Sequence, residues 1–189
     1  MDKDTKQVYQ FKISLLEIRP TIWRQIQVPD SYTILDLHNA IQSAMGWDNF
    51  HLYKFTMGMY DDSISEDSKI KNIFSLKRNK AHYEYDFGDS WEHEVLLEKI
   101  LPAIPVVKYP VCIAGKRACP PEDCGGTPGY NNLLMVIKNP RDAEYRNMME
   151  WLGKKFYPEK FNPEDVCFDS EGRGTGSVAA KMYSGVLYE

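Results

Sequence analysis

Ala81-His-Tyr-Glu-Tyr-Asp-Phe-Gly-Asp-Ser-Trp-Glu-His-Glu-Val95 alternates strictly on either side of a short turn. Successive residues of a strand point to opposite faces. Read as two strands around Gly88-Asp89-Ser90, the stretch places Tyr83, Tyr85, Phe87, Trp91, His93 and Val95 on one side. Glu84, Asp86, Glu92 and Glu94 share the other. A three-residue loop pairs Phe87 with Trp91, Tyr85 with His93 and Tyr83 with Val95. A two-residue loop would pair Tyr85 with Glu92 and waste both faces. The first register sets Glu84 against Glu94 and Asp86 against Glu92, at about 0.2–1 kcal/mol for each like-charged pair. Burial of each large aromatic side chain returns roughly 1.5–3 kcal/mol, so the aromatic face decides the register. The repulsion left over asks for water, salt, a basic segment or a metal ion, which makes Glu84, Asp86, Glu92 and Glu94 a candidate ligand-binding face.

The rest of the chain extends this pattern. Tyr9, Phe11, Ile13 and Leu15 alternate in a first strand, and Ile22, Arg24, Ile26 and Val28 share one side of a second, bracketed by Pro20 and Pro29. Thr33 with Asp36 three residues on has the form of a capping box. Ile34, Leu37, His38, Ile41 and Met45 then recur at helical spacing up to Gly46. His51 to Met57 reads as a strand, and Lys69 to Lys80 as a basic stretch. Proline, glycine and cysteine punctuate Pro102 to Pro128. Thr127-Pro128 opens a helix through Tyr130, Leu133, Leu134 and Ile137. After Asn139-Pro140 a second helix carries an apolar stripe of Tyr145, Met148, Met149 and Leu152. These elements predict an α+β fold: a mixed β-sheet with an early hairpin–helix unit, β-grasp-like, and helices toward the C-terminus. Residues 1–168 are expected to form one domain. Residues 169–189 are a tail, glycine- and serine-rich and then mildly apolar, that reads equally as loose chain or as a late strand.

Composition narrows the function. A net charge of −4 and a pI near 5.6 argue against broad electrostatic binding to nucleic acid, which needs a basic face. Lys69, Lys71, Lys77, Arg78 and Lys80 form the one basic cluster, suited to phosphates or to keeping a sheet edge soluble. No apolar run is long enough to span a bilayer, and the charged N-terminus lacks an apolar signal region, so a cytoplasmic protein is expected.

Cys112, Cys119 and Cys124 lie in one loop, and with His93, His51 or Cys167 could complete a tetrahedral zinc site. Their spacing lacks a paired knuckle, and the alternative is three small apolar side chains packing a proline-rich loop. His93, His51 and Asp86 are the candidate acid–base residues. No nucleophile elbow, phosphate-binding lysine loop or zincin helix accompanies them. A binding or adaptor domain for a protein segment is therefore the first expectation, and a metal-dependent hydrolase or nucleic-acid-processing enzyme the alternative.

Several blocks together resemble one family. Ile22-Trp-Arg24, Leu35-Asp-Leu-His38, Met45-Gly-Trp47 and His51-Leu52 are similar to the start of the plasmid pRiA4b ORF-3-like family. Tyr85-Asp-Phe-Gly-Asp-Ser-Trp-Glu-His93 and Ala118-Cys-Pro-Pro-Glu-Asp-Cys-Gly-Gly-Thr-Pro-Gly-Tyr130 are similar to its later signatures. The resemblance runs from about Val8 to Val166; Cys167 to Glu189 lies outside it. It implies a single α+β domain carried on plasmids and chromosomes, without an established activity and with an accessory or regulatory role on mobile elements. Labels of resolvase or DNA-binding repressor attached to some members find neither resolvase hallmarks nor a helix-turn-helix in this chain.

Overall fold

The computed structural model describes residues 6–58 and 61–168, so the tail of 169–189 falls outside the described residues. The chain opens with a hairpin of β1 (Gln7–Leu15) and β2 (Trp23–Pro29), followed by helix α1 (Ile34–Met45) and β3 (Tyr53–Thr56). A one-turn helix α2 (Ile70–Ile73) leads to β4 (Lys80–Tyr85) and the long β5 (Trp91–Pro102). Then come β6 (Val111–Lys116), α3 (Gly126–Lys138), α4 (Tyr145–Leu152) and a 3₁₀ turn at Pro163–Asp165.

All six strands join one sheet in the order β3-β4-β5-β1-β2-β6. The α+β class and the early hairpin–helix unit stand, but every ladder is antiparallel rather than mixed. The reason is topological. The crossover through α1 joins two strands of the same direction, β2 and β3, yet β1, β5 and β4 lie between them.

Local chemistry sets the helix ends. The Asp36 backbone N–H donates to Thr33 Oγ1 at 3.1 Å and the Thr33 N–H donates to Asp36 Oδ2 at 2.8 Å, closing the expected capping box. Gly46, at φ 83°, ends α1 in the left-handed conformation that glycine adopts without penalty. The buried stripe of α1, Ile34, Leu37 and Ile41, packs with Phe11, Ile13 and Leu15 of β1, Ile26 and Val28 of β2, and Tyr83, Trp91 and Val95 of the central hairpin. By contrast, α4 buries none of its residues, so its apolar stripe does not enter the core.

The central hairpin keeps its faces and changes its register by two residues. Tyr85 pairs with Trp91, Tyr83 with His93 and Ala81 with Val95. An even shift preserves which side chains share a face. Tyr83, Tyr85, Trp91, His93 and Val95 are accordingly all buried, whereas Phe87 leaves the ladder and is half exposed. Asp86 causes the change. At φ 58° it turns the chain out of the strand, and its Oδ1 accepts from the N–H groups of Gly88 at 2.9 Å and Asp89 at 3.3 Å. Such side-chain-to-backbone bonds are how aspartate builds turns. The loop is therefore 86–90.

Candidate functional site

The acidic side of the hairpin is neutralised from within the chain. Lys54 Nζ lies 2.6 Å from Glu84 Oε2, Lys80 Nζ lies 2.9 Å from Glu94 Oε2, and His82 pairs with Glu92. Burial raises the Glu92 carboxyl pKa, with His82 opposing the shift and Glu84 adding to it. Asp86, the fourth carboxylate expected on this side, points to the end of the sheet instead. The basic segments that this face calls for are β3 and the start of β4.

That end of the sheet is built from three loops, 46–52, 86–90 and 117–125, held to one another by a set of hydrogen bonds. Tyr85 Oη donates to Glu122 Oε1 at 2.5 Å and accepts from the Phe50 N–H at 3.2 Å. The Asp48 N–H donates to Glu122 Oε2 at 2.8 Å, and Trp47 Nε1 donates to the Pro120 carbonyl at 3.0 Å. The Gly125 N–H donates to Asp89 Oδ2 at 3.1 Å. Asn49, Asp86 and Asp123 each take a left-handed backbone, which aspartate and asparagine tolerate better than most residues.

Within this frame His51 lies between two carboxylates. Its Nδ1 is 3.7 Å from Asp86 Oδ1 and its Nε2 is 3.3 Å from Asp123 Oδ1. Exposed apolar residues neighbour these groups along the chain: Phe50 at 81% exposure and Leu52 at 72% flank His51, and Phe87 at 50% follows Asp86, its ring centre 5.5 Å from Lys54 Nζ. The Asp86 N–H donates to the Leu52 carbonyl at 2.9 Å, which keeps the two apolar loops side by side. Asp123 and Glu122 also line a groove of about 660 Å³, walled by Trp47, Pro120, Trp151 and Phe161.

The expected residues separate into those that meet here and those that do not. His51 and Asp86 converge. His93 does not: it is sealed in the core, its Nδ1–H donating to the Tyr83 carbonyl at 3.2 Å, and burial depresses its pKa to about 4. His38 is also a core residue. Gln42 Nε2 donates to Tyr83 Oη, that hydroxyl donates to His38 Nδ1 at 2.9 Å, and His38 Nε2–H donates to Asn49 Oδ1 at 2.6 Å. Burial takes His38 to about 4 as well.

The cysteines do not assemble with His93. Among the described residues the single group of three or more histidine, cysteine or acidic side chains within liganding range is His51, Asp86 and Asp123. Burial pushes Cys112 up to about 11, and Cys119 and Cys124 up to about 12, so all three are thiols at neutral pH. Asp123 and the exposed pair Phe50 and Leu52 escaped the sequence reading. Phe50 and Leu52 flank His51 like ordinary strand residues, and Asp123 is brought near only by the loop contacts.

Comparison with known proteins fits this architecture. The sequence profile of the plasmid pRiA4b ORF-3-like proteins matches residues 7–165. The chain is 32% identical to "Uncharacterized protein y4hQ" of Sinorhizobium fredii (strain NBRC 101917 / NGR234) over 162 residues, covering 79% of this chain and 83% of that protein. The crystal structure of "Protein of Unknown Function MM3350" from Methanosarcina mazei Go1 superposes with a TM-score of 0.80 at 45% identity, covering 86% of this chain and 98% of that one.

Proposed function

The chain belongs to the plasmid pRiA4b ORF-3-like family, and from that premise we propose that it is a binding module for a basic, apolar protein segment. The observation that supports this reading is the exposure of Phe50 and Leu52 on either side of His51, and of Phe87 next to Asp86, on loops that also carry the Asp86 and Asp123 carboxylates. Exposed large apolar side chains gathered in one place mark interaction surfaces more often than scattered ones do. The loops of this surface carry Asp48, Asp89, Glu122 and Asp123 beside His51, while Lys54 lies over the Phe87 ring and Lys154 and Lys160 line the adjoining groove. A partner supplying lysine or arginine beside large apolar residues complements both features. The adjoining groove gives such a segment room to extend, with Trp47 and Trp151 in its walls. The Glu84, Glu92 and Glu94 face is a weaker recognition surface, because its charges already have partners.

The test is selection from a displayed random-peptide library on the immobilised chain. Enriched peptides should combine basic and large apolar residues. Their binding should weaken by about tenfold or more in the Phe50→Ala/Phe87→Ala double variant, the scale of losing interface anchors. Peptides that bind the double variant equally well, or a selection that enriches nothing, would contradict the reading.

A further inference from the structure

The His51, Asp86 and Asp123 side chains that the binding reading places on its surface support a second inference, which rests on their own geometry. We propose that His51, Asp86 and Asp123 bind one divalent transition-metal ion, through one imidazole nitrogen and one oxygen from each carboxylate.

The argument starts from Asp86. It is a carboxylate at 7% exposure with no lysine or arginine partner among the described residues. Its Oδ1 takes the two backbone N–H groups of the turn. Its Oδ2 receives no donor from the described protein, and its nearest ionisable neighbour is His51, at 3.7 Å. A largely buried carboxylate whose second oxygen has no protein donor and still reaches solvent offers that oxygen to an ion. Asp123 has the same single ionic neighbour, from the opposite edge of the ring.

The geometry fits a small ion. One ligand atom from each residue lies within 4.8 Å of the others. Metal bonds of about 2.0–2.2 Å to nitrogen and oxygen hold neighbouring ligand atoms roughly 3–3.5 Å apart. The 3.3 Å contact falls within that separation and the 3.7 Å contact just above it, each on a different ring nitrogen. Closure therefore requires one carboxylate to swing toward the nitrogen that ligates. The side chain of Asp123, 71% exposed, can do so without disturbing the core, whereas Asp86 is fixed by its turn. Three protein ligands leave further coordination positions open to solvent or to another molecule. An imidazole with two carboxylates suits zinc and also accommodates manganese, whereas magnesium and calcium prefer all-oxygen sites.

Manganese(II) is the appropriate probe, because it binds carboxylate and imidazole without drawing the cysteine thiols into competition. Titration of the chain alone, followed by the electron paramagnetic resonance signal of free Mn²⁺, should show one ion bound per chain. Affinity should fall at least about tenfold in Asp123→Asn and in His51→Gln, the scale on which even secondary contacts affect metal sites. Zinc should displace the bound manganese. Circular dichroism would establish that both variants remain folded. No binding at millimolar Mn²⁺, or binding that persists unchanged in both variants, overturns the site. The ion is the sole probe, so the result is independent of whether peptides bind the apolar rim.

Discussion

Arg24 is a buried cation whose hydrogen-bond acceptors are all backbone carbonyls. Its Nε donates to Ala44 O at 2.8 Å, in the last turn of α1, and its Nη1 donates to Trp23 O at 2.9 Å and Lys116 O at 3.1 Å. The first contact places positive charge at the negative end of a helix dipole and meets a carbonyl that the helix cannot satisfy. Phe161 covers the guanidinium plane at 3.7 Å. Burial lowers the pKa of Arg24, but arginine stays charged. Replacing Arg24 with Met should destabilise the fold by about 2–3 kcal/mol through lost charge-assisted bonds, measured by urea denaturation. Alternation put Arg24 on the inner side of β2, so its burial was legible in the sequence; its partners on α1 and β6 were not, because they depend on tertiary packing. Gly126 shows the same limit. A Cβ there would lie 2.5 Å from the Asp89 carbonyl, on a backbone at φ 64°. Gly126→Ala should cost more than about 1 kcal/mol and loosen the clamp between loops 86–90 and 117–125, read from the denaturation midpoint.

At the level of the element, the central hairpin separates what periodicity can specify from what it cannot. Period two assigns a face to every strand residue, and Tyr83, Tyr85, Trp91, His93 and Val95 all take the side it assigns. It does not say where the strand stops. That depends on the local turn chemistry of Asp86, whose carboxylate bonds to its own loop. The shorter loop would have sent Phe87 into the core. The observed one predicts that Phe87→Ala changes stability by no more than about 0.5–1 kcal/mol, as for exposed sites, whereas Trp91→Ala costs about 3–5 kcal/mol. Equal, large losses for both would restore the shorter turn. β6 was hidden for a related reason: its pairing with β2 shifts between Gln25 and Ile26, a bulge within a stretch rich in proline and glycine. The candidate site was half legible. His51 and Asp86 are near neighbours of strong strand signals, while Asp123 reaches them only through loops that no periodicity describes.

For the molecule as a whole, two buried neutral histidines link stability to pH. His38 and His93 have folded pKa values of about 4, against an ordinary 6.5. The unfolded chain therefore binds more protons between those limits, so stability is full above pH 6.5 and is lost as pH falls toward 4. Each such group is worth about 3 kcal/mol across the window, enough together to threaten a domain of ordinary stability. Denaturation at pH 7 and pH 5 should show the loss, and His93→Gln should lessen it if the variant folds. No helix among the described residues is long and apolar enough to cross a membrane, and the proposed binding face lies on the loops at one end of the sheet. Hydrogen–deuterium exchange of the chain with and without a library-selected peptide locates that face directly. The three-loop arrangement predicts slowed exchange in residues 46–52, 86–90 and 117–125. Slowed exchange confined to the strands carrying Glu84, Glu92 and Glu94 would contradict it.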